Sequence, residues 1–195
     1  MIANKSLIKK IEKMKKMIFI IFCFLAILSC KAQIIAVEDF KDYPNELTDG
    51  TYVKDINNVL SKFVGTWKGT FDNKNFEFKI TKYTRVSEIR PLKFDKLLMR
   101  YKITDNLGNI IVNTLNLAND HKYIIRGDYL AKTGSYVLSY LGLNGKCGQN
   151  GSVFISANGN KLNLGLYIDG DLSLDCTTGP AEQVLPTTGI VLTKQ

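Results

Sequence analysis

Few side chains in this 195-residue chain have types that could carry covalent or metal chemistry: four cysteines, one histidine, and Asp169-Gly170-Asp171 with Asp175 beyond. A single histidine excludes a multi-histidine metal site and a histidine relay. His121 follows Asn119-Asp120 in what reads as a loop, and nothing ties it to a cysteine or a serine. A thiol or hydroxyl nucleophile therefore lacks its base. The acidic cluster offers carboxylates to calcium but lacks the further oxygen ligands and the closing glutamate of an EF-hand loop, so it reads as a hairpin turn. As a carboxylate pair it has no feature that would raise a pKa, because turn residues are solvated. No glycine-rich phosphate loop is present. The expectation is a protein that is not an enzyme and uses no metal and no cofactor.

Charge and the remaining cysteines indicate a compartment. The formal net charge is +8, but residues 1–29 hold six lysines against Glu12. Residues 30–195 keep 20 basic and 17 acidic side chains, an excess of three. A nucleic-acid binder would carry its excess in the folded part, so no nucleic-acid partner is expected. Lys15-Lys16 precede the apolar run 17–28. As a helix that run would span about 18 Å, short of the roughly 30 Å hydrocarbon core, which reads as an export signal and not a membrane span. Ala26-Ile27-Leu28-Ser29-Cys30 resembles the lipobox of bacterial lipoproteins. That resemblance implies acylation of Cys30, a membrane partner reached through a lipid anchor, and a place in the Gram-negative envelope (periplasm or outer membrane). The alternative is ordinary secretion with cleavage after Ala32. Cys23 falls inside the apolar run, which leaves Cys147 and Cys176 in the mature domain. In an oxidising compartment two leftover cysteines most simply pair, and closing a loop of about 30 residues stabilises by roughly 3.5 kcal/mol.

The elements that position these residues are read from periodicity. Residues 34–50 are acidic, contain Pro44 and show no period, which predicts a tether spanning 30–50. Tyr52, Ile56, Val59, Leu60 and Phe63 recur every three or four residues, predicting a short amphipathic helix over 51–63. After Gly65 the period is two. Phe76, Phe78 and Ile80 interleave with Glu77, Lys79 and Thr81, and Met99, Tyr101 and Ile103 with Arg100, Lys102 and Thr104. Turn chemistry separates the runs, as at Asp72-Asn73, Gly108-Asn109 and Asn158-Gly159. Eight or nine short strands predict one all-β domain over 51–195, an antiparallel up-and-down meander closed into a small barrel. A β-sandwich is the alternative.

Gly65-Thr66-Trp67, opening the first of these strands after the expected helix, resembles the glycine–any–tryptophan signature of lipocalins, although the chain lacks their C-terminal helix and its arginine. The resemblance implies that Trp67 lies buried at one barrel end beneath the 51–63 segment, its N–H bonded to a backbone carbonyl or a side chain. Over most of its length the chain also resembles an uncharacterised family of Bacteroidota secreted proteins and lipoproteins. The matching residues are the stretches Tyr52-Val53-Lys54-Asp55-Ile56-Asn57-Asn58 and Lys62-Phe63-Val64-Gly65-Thr66-Trp67-Lys68-Gly69-Thr70, the signal ending Cys30-Lys31-Ala32-Gln33, the Cys147-Gly148 pair and the closing Leu192-Thr193-Lys194-Gln195. That resemblance implies a domain of unknown function and carries over no catalytic residue.

The functional expectation is therefore a non-catalytic binding module of the cell envelope. In one version a small apolar ligand sits inside the barrel against Trp67, Phe76, Phe78, Met99, Tyr101, Tyr136 and Leu138. In the other those side chains fill the interior, and the outer surface binds an envelope glycan, polymer or protein. For the outer surface the basic residues Lys79, Lys82, Arg85, Arg90, Lys93, Lys96, Arg100 and Lys102 suggest a patch for anionic glycan or lipid headgroups.

Overall fold

A computed structural model describes residues 13–18 and 33–195. Residues 13–18 are helical, and among the described residues no helix is long and apolar enough to cross a membrane. Cys23 and Cys30, and so the acylation site read from the lipobox, lie outside the described residues. Everything below concerns the compact unit Ile34–Gln195.

Eleven strands form one sheet: β1 (Ile34–Ala36), β2 (Tyr52–Lys54), β3 (Gly65–Phe71), β4 (Lys74–Val86), β5 (Lys93–Asp105), β6 (Ile110–Asn113), β7 (Ile125–Leu130), β8 (Tyr136–Leu141), β9 (Asn150–Asn158), β10 (Lys161–Ile168) and β11 (Ile190–Lys194). Eight of them, β3, β4, β5, β7, β8, β9, β10 and β11, pair antiparallel in a closed ring, so the fold is a barrel and not a sandwich. Each follows its neighbour in sequence, the up-and-down order that leaves no edge within the ring. The hairpin turns use the expected chemistry: Asp72 and Asn73 take φ of 48° and 54°, and Gly159 takes 56°. The period-two residues point inward, where Phe78, Leu97, Met99, Tyr101, Leu138, Val153, Leu162 and Leu192 are fully buried.

Two junctions close the ring thinly. β3 meets β11 at Lys68↔Thr193 and Trp67↔Lys194, and β5 meets β7 only at Leu98↔Arg126 and Met99↔Ile125. On one side of this β5–β7 seam the extra strand β6 pairs with β5 in place of β7. On the other side a narrow cleft between the splayed strands is lined by Val37, Phe40 and Val53 of the N-terminal segment. The seam is held where Tyr136 Oη accepts the N–H of Leu97 at 3.3 Å.

The N-terminal segment departs from both expectations for it. Residues 34–50 are not a tether: β1 pairs parallel with β2, Ile35 and Val37 are buried in the core, and the Phe40 ring meets Phe94 edge-on at 5.6 Å. The acids that make the segment look solvated lie between these anchors; Asp39 and Asp49 are exposed. Nor do residues 51–63 form an α-helix. Tyr52 and Val53 pair with Lys93 and Phe94 of β5, and only Ser61–Phe63 is helical, as a single 3-10 turn. Two local features divert the chain. Asn58 adopts φ 55°, and the Asp55 carboxylate takes the N–H of Leu60 at 3.3 Å, a side-chain bond that competes with the helical ladder. Leu60 and Phe63 are nevertheless fully buried, while Ile56 is left exposed.

Candidate functional site

The apolar set expected to face a ligand packs against itself. Trp67 is fully buried, and its Nε1–H donates to the carbonyl of Phe63 at 2.8 Å. The lid above it is the Ser61–Phe63 turn, and Lys194 Nζ lies 5.2 Å from the indole centroid. Ring centroids stand 6.3 Å apart for Phe76–Phe78, 6.2 Å for Phe78–Tyr101, 6.4 Å for Tyr101–Tyr140 and 5.9 Å for Phe63–Tyr136. Met99 and Leu138 complete this interior. Burial pushes the Tyr101 phenol up to about 12, and it raises Tyr136 and Tyr140 as well. All three phenols are neutral at physiological pH. The hydroxyls of Tyr101 and Tyr140 are buried without a hydrogen bond of normal geometry to any protein atom.

The opposite end of the barrel is stoppered by the β8–β9 and β10–β11 connections, which the Cys147–Cys176 disulfide joins. Cys147 also bridges Leu172, and the N–H of Ser173 donates to the carbonyl of Lys146 at 2.8 Å. Gln149, almost fully buried, accepts from the N–H of Asn144 at 2.9 Å and donates to the carbonyl of Glu182. Leu185 of the second loop enters the core. Asp175 of the acidic cluster pairs with Lys146 at 2.9 Å. His121 sits on the β6–β7 connection, where its Nδ1 accepts the N–H of Tyr123 at 3.3 Å. The bridge places the domain in an oxidising, exported environment.

The basic residues of β4 and β5 separate into different roles. Lys82 pairs with the fully buried carboxylate of Asp55 at 3.0 Å, and Arg90 binds Asp49 at 2.9 Å. Arg100 donates to the carbonyl of Leu117 at 3.0 Å and to the Asn119 side chain, fastening the β6–β7 connection over the barrel wall. Lys96 is nearly buried; burial lowers its ammonium pKa, and Asp128 at 3.9 Å only partly opposes this. These four are structural. Lys102 instead lies half-buried on the outer wall with no ion-pair partner among the described residues.

Lys102 borders a concavity of the outer wall. Register places Lys68, Glu77 and Lys102 in one outward row across β3, β4 and β5, and Thr70, Asn75 and Thr104 in the next. Between these rows lies a shallow trough of about 350 Å³. It continues around Thr70 and Asn75 into a second hollow of about 410 Å³ beside Asp72, Asn73 and Asn106. Lys68 and Glu77 are joined at 3.3 Å across the row. The trough thus presents two ammonium groups, one carboxylate, two threonine hydroxyls and an amide.

Sequence reasoning missed the polar cluster that locks the N-terminal segment onto the barrel. Asp95 accepts from Tyr52 Oη at 2.7 Å, Thr84 Oγ1 at 2.8 Å and the N–H of Asp55 at 3.1 Å. Burial alone would raise the Asp95 carboxyl; these donors, with Lys82 nearby, hold it below the usual carboxylate range. Its signal was an Asp on the inward phase of a strand.

No curated protein and no solved structure matches the chain. A family model described as a family of unknown function, DUF6705, matches residues 14–195. The eight-stranded barrel, its plugged ends and its disulfide therefore describe a member of that family, to which this chain belongs.

Proposed function

We propose that the protein is a non-catalytic binding module of the cell envelope, acylated at Cys30, that holds an anionic polymer against the outer wall of β3, β4 and β5. The observation that carries this reading is the contrast between inside and outside. The rings of Phe76, Phe78, Tyr101 and Tyr136 occupy the barrel interior, so an apolar ligand there would have to part them, whereas the trough beside Lys68 and Lys102 stands open. Ammonium groups answer carboxylates or phosphates of a polymer, and Thr70, Thr104 and Asn75 answer its hydroxyls. A shallow open site suits an extended chain better than a small molecule, which ligand pockets enclose by 70–90%. The lipobox-like run ending at Cys30 supports anchoring beside such a polymer.

The test is titration calorimetry with polygalacturonate as a polycarboxylate probe. Binding should weaken with added salt and fall about tenfold in Lys102→Glu, a loss equivalent to about 1.4 kcal/mol. Absence of binding, or equal binding by Lys102→Glu, overturns the reading. For the anchor, Cys30→Ala should move the protein from the membrane fraction to the soluble one, and wild-type protein found soluble with Gln33 first would overturn that part.

A further inference from the structure

Glycine inside a strand costs stability, so each strand glycine invites a reason. Most have an internal one. A Cβ on Gly69 would stand 2.9 Å from Leu192 Cδ2, one on Gly127 2.5 Å from Tyr136 Oη, and one on Gly151 2.1 Å from the Tyr167 carbonyl oxygen. Gly65 has φ +140°. Gly165, in the middle of β10, has neither reason. Its φ is not positive, and the nearest atom to its Cβ position is Gly189 Cα at 4.0 Å. Gly189 is equally unconstrained, with only the Leu164 carbonyl oxygen at 3.9 Å.

These two glycines floor an outward trough of about 300 Å³, whose lining includes Phe154, Val191, Ser135, Ser156 and Asn163. Phe154 is the cross-strand partner of Gly165 and is 44% exposed. Its ring is not folded over the glycine, since no ring atom comes within 4 Å of the Cβ position. It forms a wall. Val191, 58% exposed, is the apolar residue facing it from β11. Charge is the other distinguishing feature. The outward residues Ser152, Phe154, Ser156, Asn163, Gly165, Tyr167, Val191 and Thr193 include no ionisable acid or base of either sign except the Tyr167 phenol. Lys161, at the end of β10, is turned onto Thr193 Oγ1 at 2.9 Å.

We propose that this glycine-floored trough binds an uncharged sugar residue. A pyranose offers a flat C–H face to the Phe154 ring and a rim of hydroxyls to Asn163, Ser156 and Ser135, and it needs no charge partner. Bare backbone at Gly165 and Gly189 lets the ring settle against the sheet where any side chain would lift it off. The site is distinct from the β3–β4–β5 trough in place and in charge, so either can fail without the other.

The test uses ¹⁵N-labelled protein with cellotetraose, maltotetraose and chitotetraose at millimolar concentration. At least one should shift the amides of residues 154–156, 163–165 and 189–191. Phe154→Ser should weaken that response about tenfold. Gly165→Val should abolish it while raising or preserving the thermal midpoint, because its side chain meets open space; a glycine kept for packing predicts the opposite sign. Absence of shifts with all three sugars, shifts confined to β3–β5, undiminished response in both variants, or a lowered midpoint in Gly165→Val each overturns the proposal. Self-association of the parent through this face, abolished by Phe154→Ser, would assign the trough to a second copy of the chain instead.

Discussion

Gly127→Ala tests how the barrel closes. Gly127 lies on β7 beside the seam, where β5 and β7 share only two residue pairs. A methyl at this position would stand 2.5 Å from Tyr136 Oη, 2.7 Å from the Leu97 carbonyl oxygen and 2.8 Å from the Leu97 nitrogen. The first clash can be relieved by moving a side chain; the other two are backbone and require the strands to part. Overpacking of this kind costs about 1–3 kcal/mol. Displacing the Tyr136 hydroxyl also breaks its bond to the Leu97 N–H and leaves a buried donor unpaired, about 1–3 kcal/mol more. The expected loss is therefore about 2–6 kcal/mol, measured by urea unfolding followed through Trp67 fluorescence. Hydrogen exchange should localise the damage to the amides of Leu97, Leu98, Met99 and Ile125. Adding Tyr136→Phe should recover only part of the loss, because the contact with the Leu97 backbone remains. A Gly127→Ala protein within about 0.5 kcal/mol of the parent, or full rescue by Tyr136→Phe, would refute the reasoning.

Replacing both Cys147 and Cys176 by serine should cost about 3.5 kcal/mol by the loop-closure argument, read as a lower urea midpoint, with exchange rising in residues 142–149 and 169–189. Free, alkylatable thiols in folded exported protein would contradict the bridge. Asp95 supplies a pH dependence. Its folded pKa is depressed, so its contribution is present above the unfolded value of about 3.9 and is lost as pH falls through the folded one. Asp95→Asn should flatten the acid limb of the stability curve in that range and leave the alkaline limb unchanged, and an identical acid limb in the variant would show that the carboxylate does not lock the N-terminal segment.

The barrel was legible because its long strands alternate over enough residues to show their period. β4 and β5 run 13 residues each, and Phe76, Phe78, Ile80 and their partners Ile103, Tyr101 and Met99 announce one buried face. Asp72-Asn73 and Asn158-Gly159 marked where the chain reverses. The N-terminal segment was not legible for the same reason inverted. β1 and β2 have three residues each, too few to alternate, and the parallel pairing of β1 with β2 and of β2 with β5 is a tertiary contact with no local signature. Apolar residues spaced by three and four in 52–63 imitate a helix, while Asp55 and Asn58 carry the contrary signal in single side chains. The indole is buried as expected, and of the two partners expected for its N–H, a backbone carbonyl or a side chain, it takes a carbonyl, which a single 3-10 turn supplies.

The outer wall was legible least, because which residues adjoin across strands depends on register. Lys102 lies 25 residues beyond Glu77 in sequence, and it joins the Lys68–Glu77 hairpin pair only when β5 is aligned on β4. Gly165 looked like any strand glycine until every other strand glycine had acquired an internal reason. Both troughs lie on one continuous face, since Lys68 of β3 pairs with Thr193 of β11 and both point outward. Four strands, β10, β11, β3 and β4, carry the wall from the uncharged trough to the charged one, three inter-strand spacings or about 14 Å. Along each strand the inward residues build the core and the outward ones do not. The period of two therefore separates two sets of residues: the rows of Phe, Leu and Tyr inside set closure and stability, and the outer rows are free to vary without disturbing them.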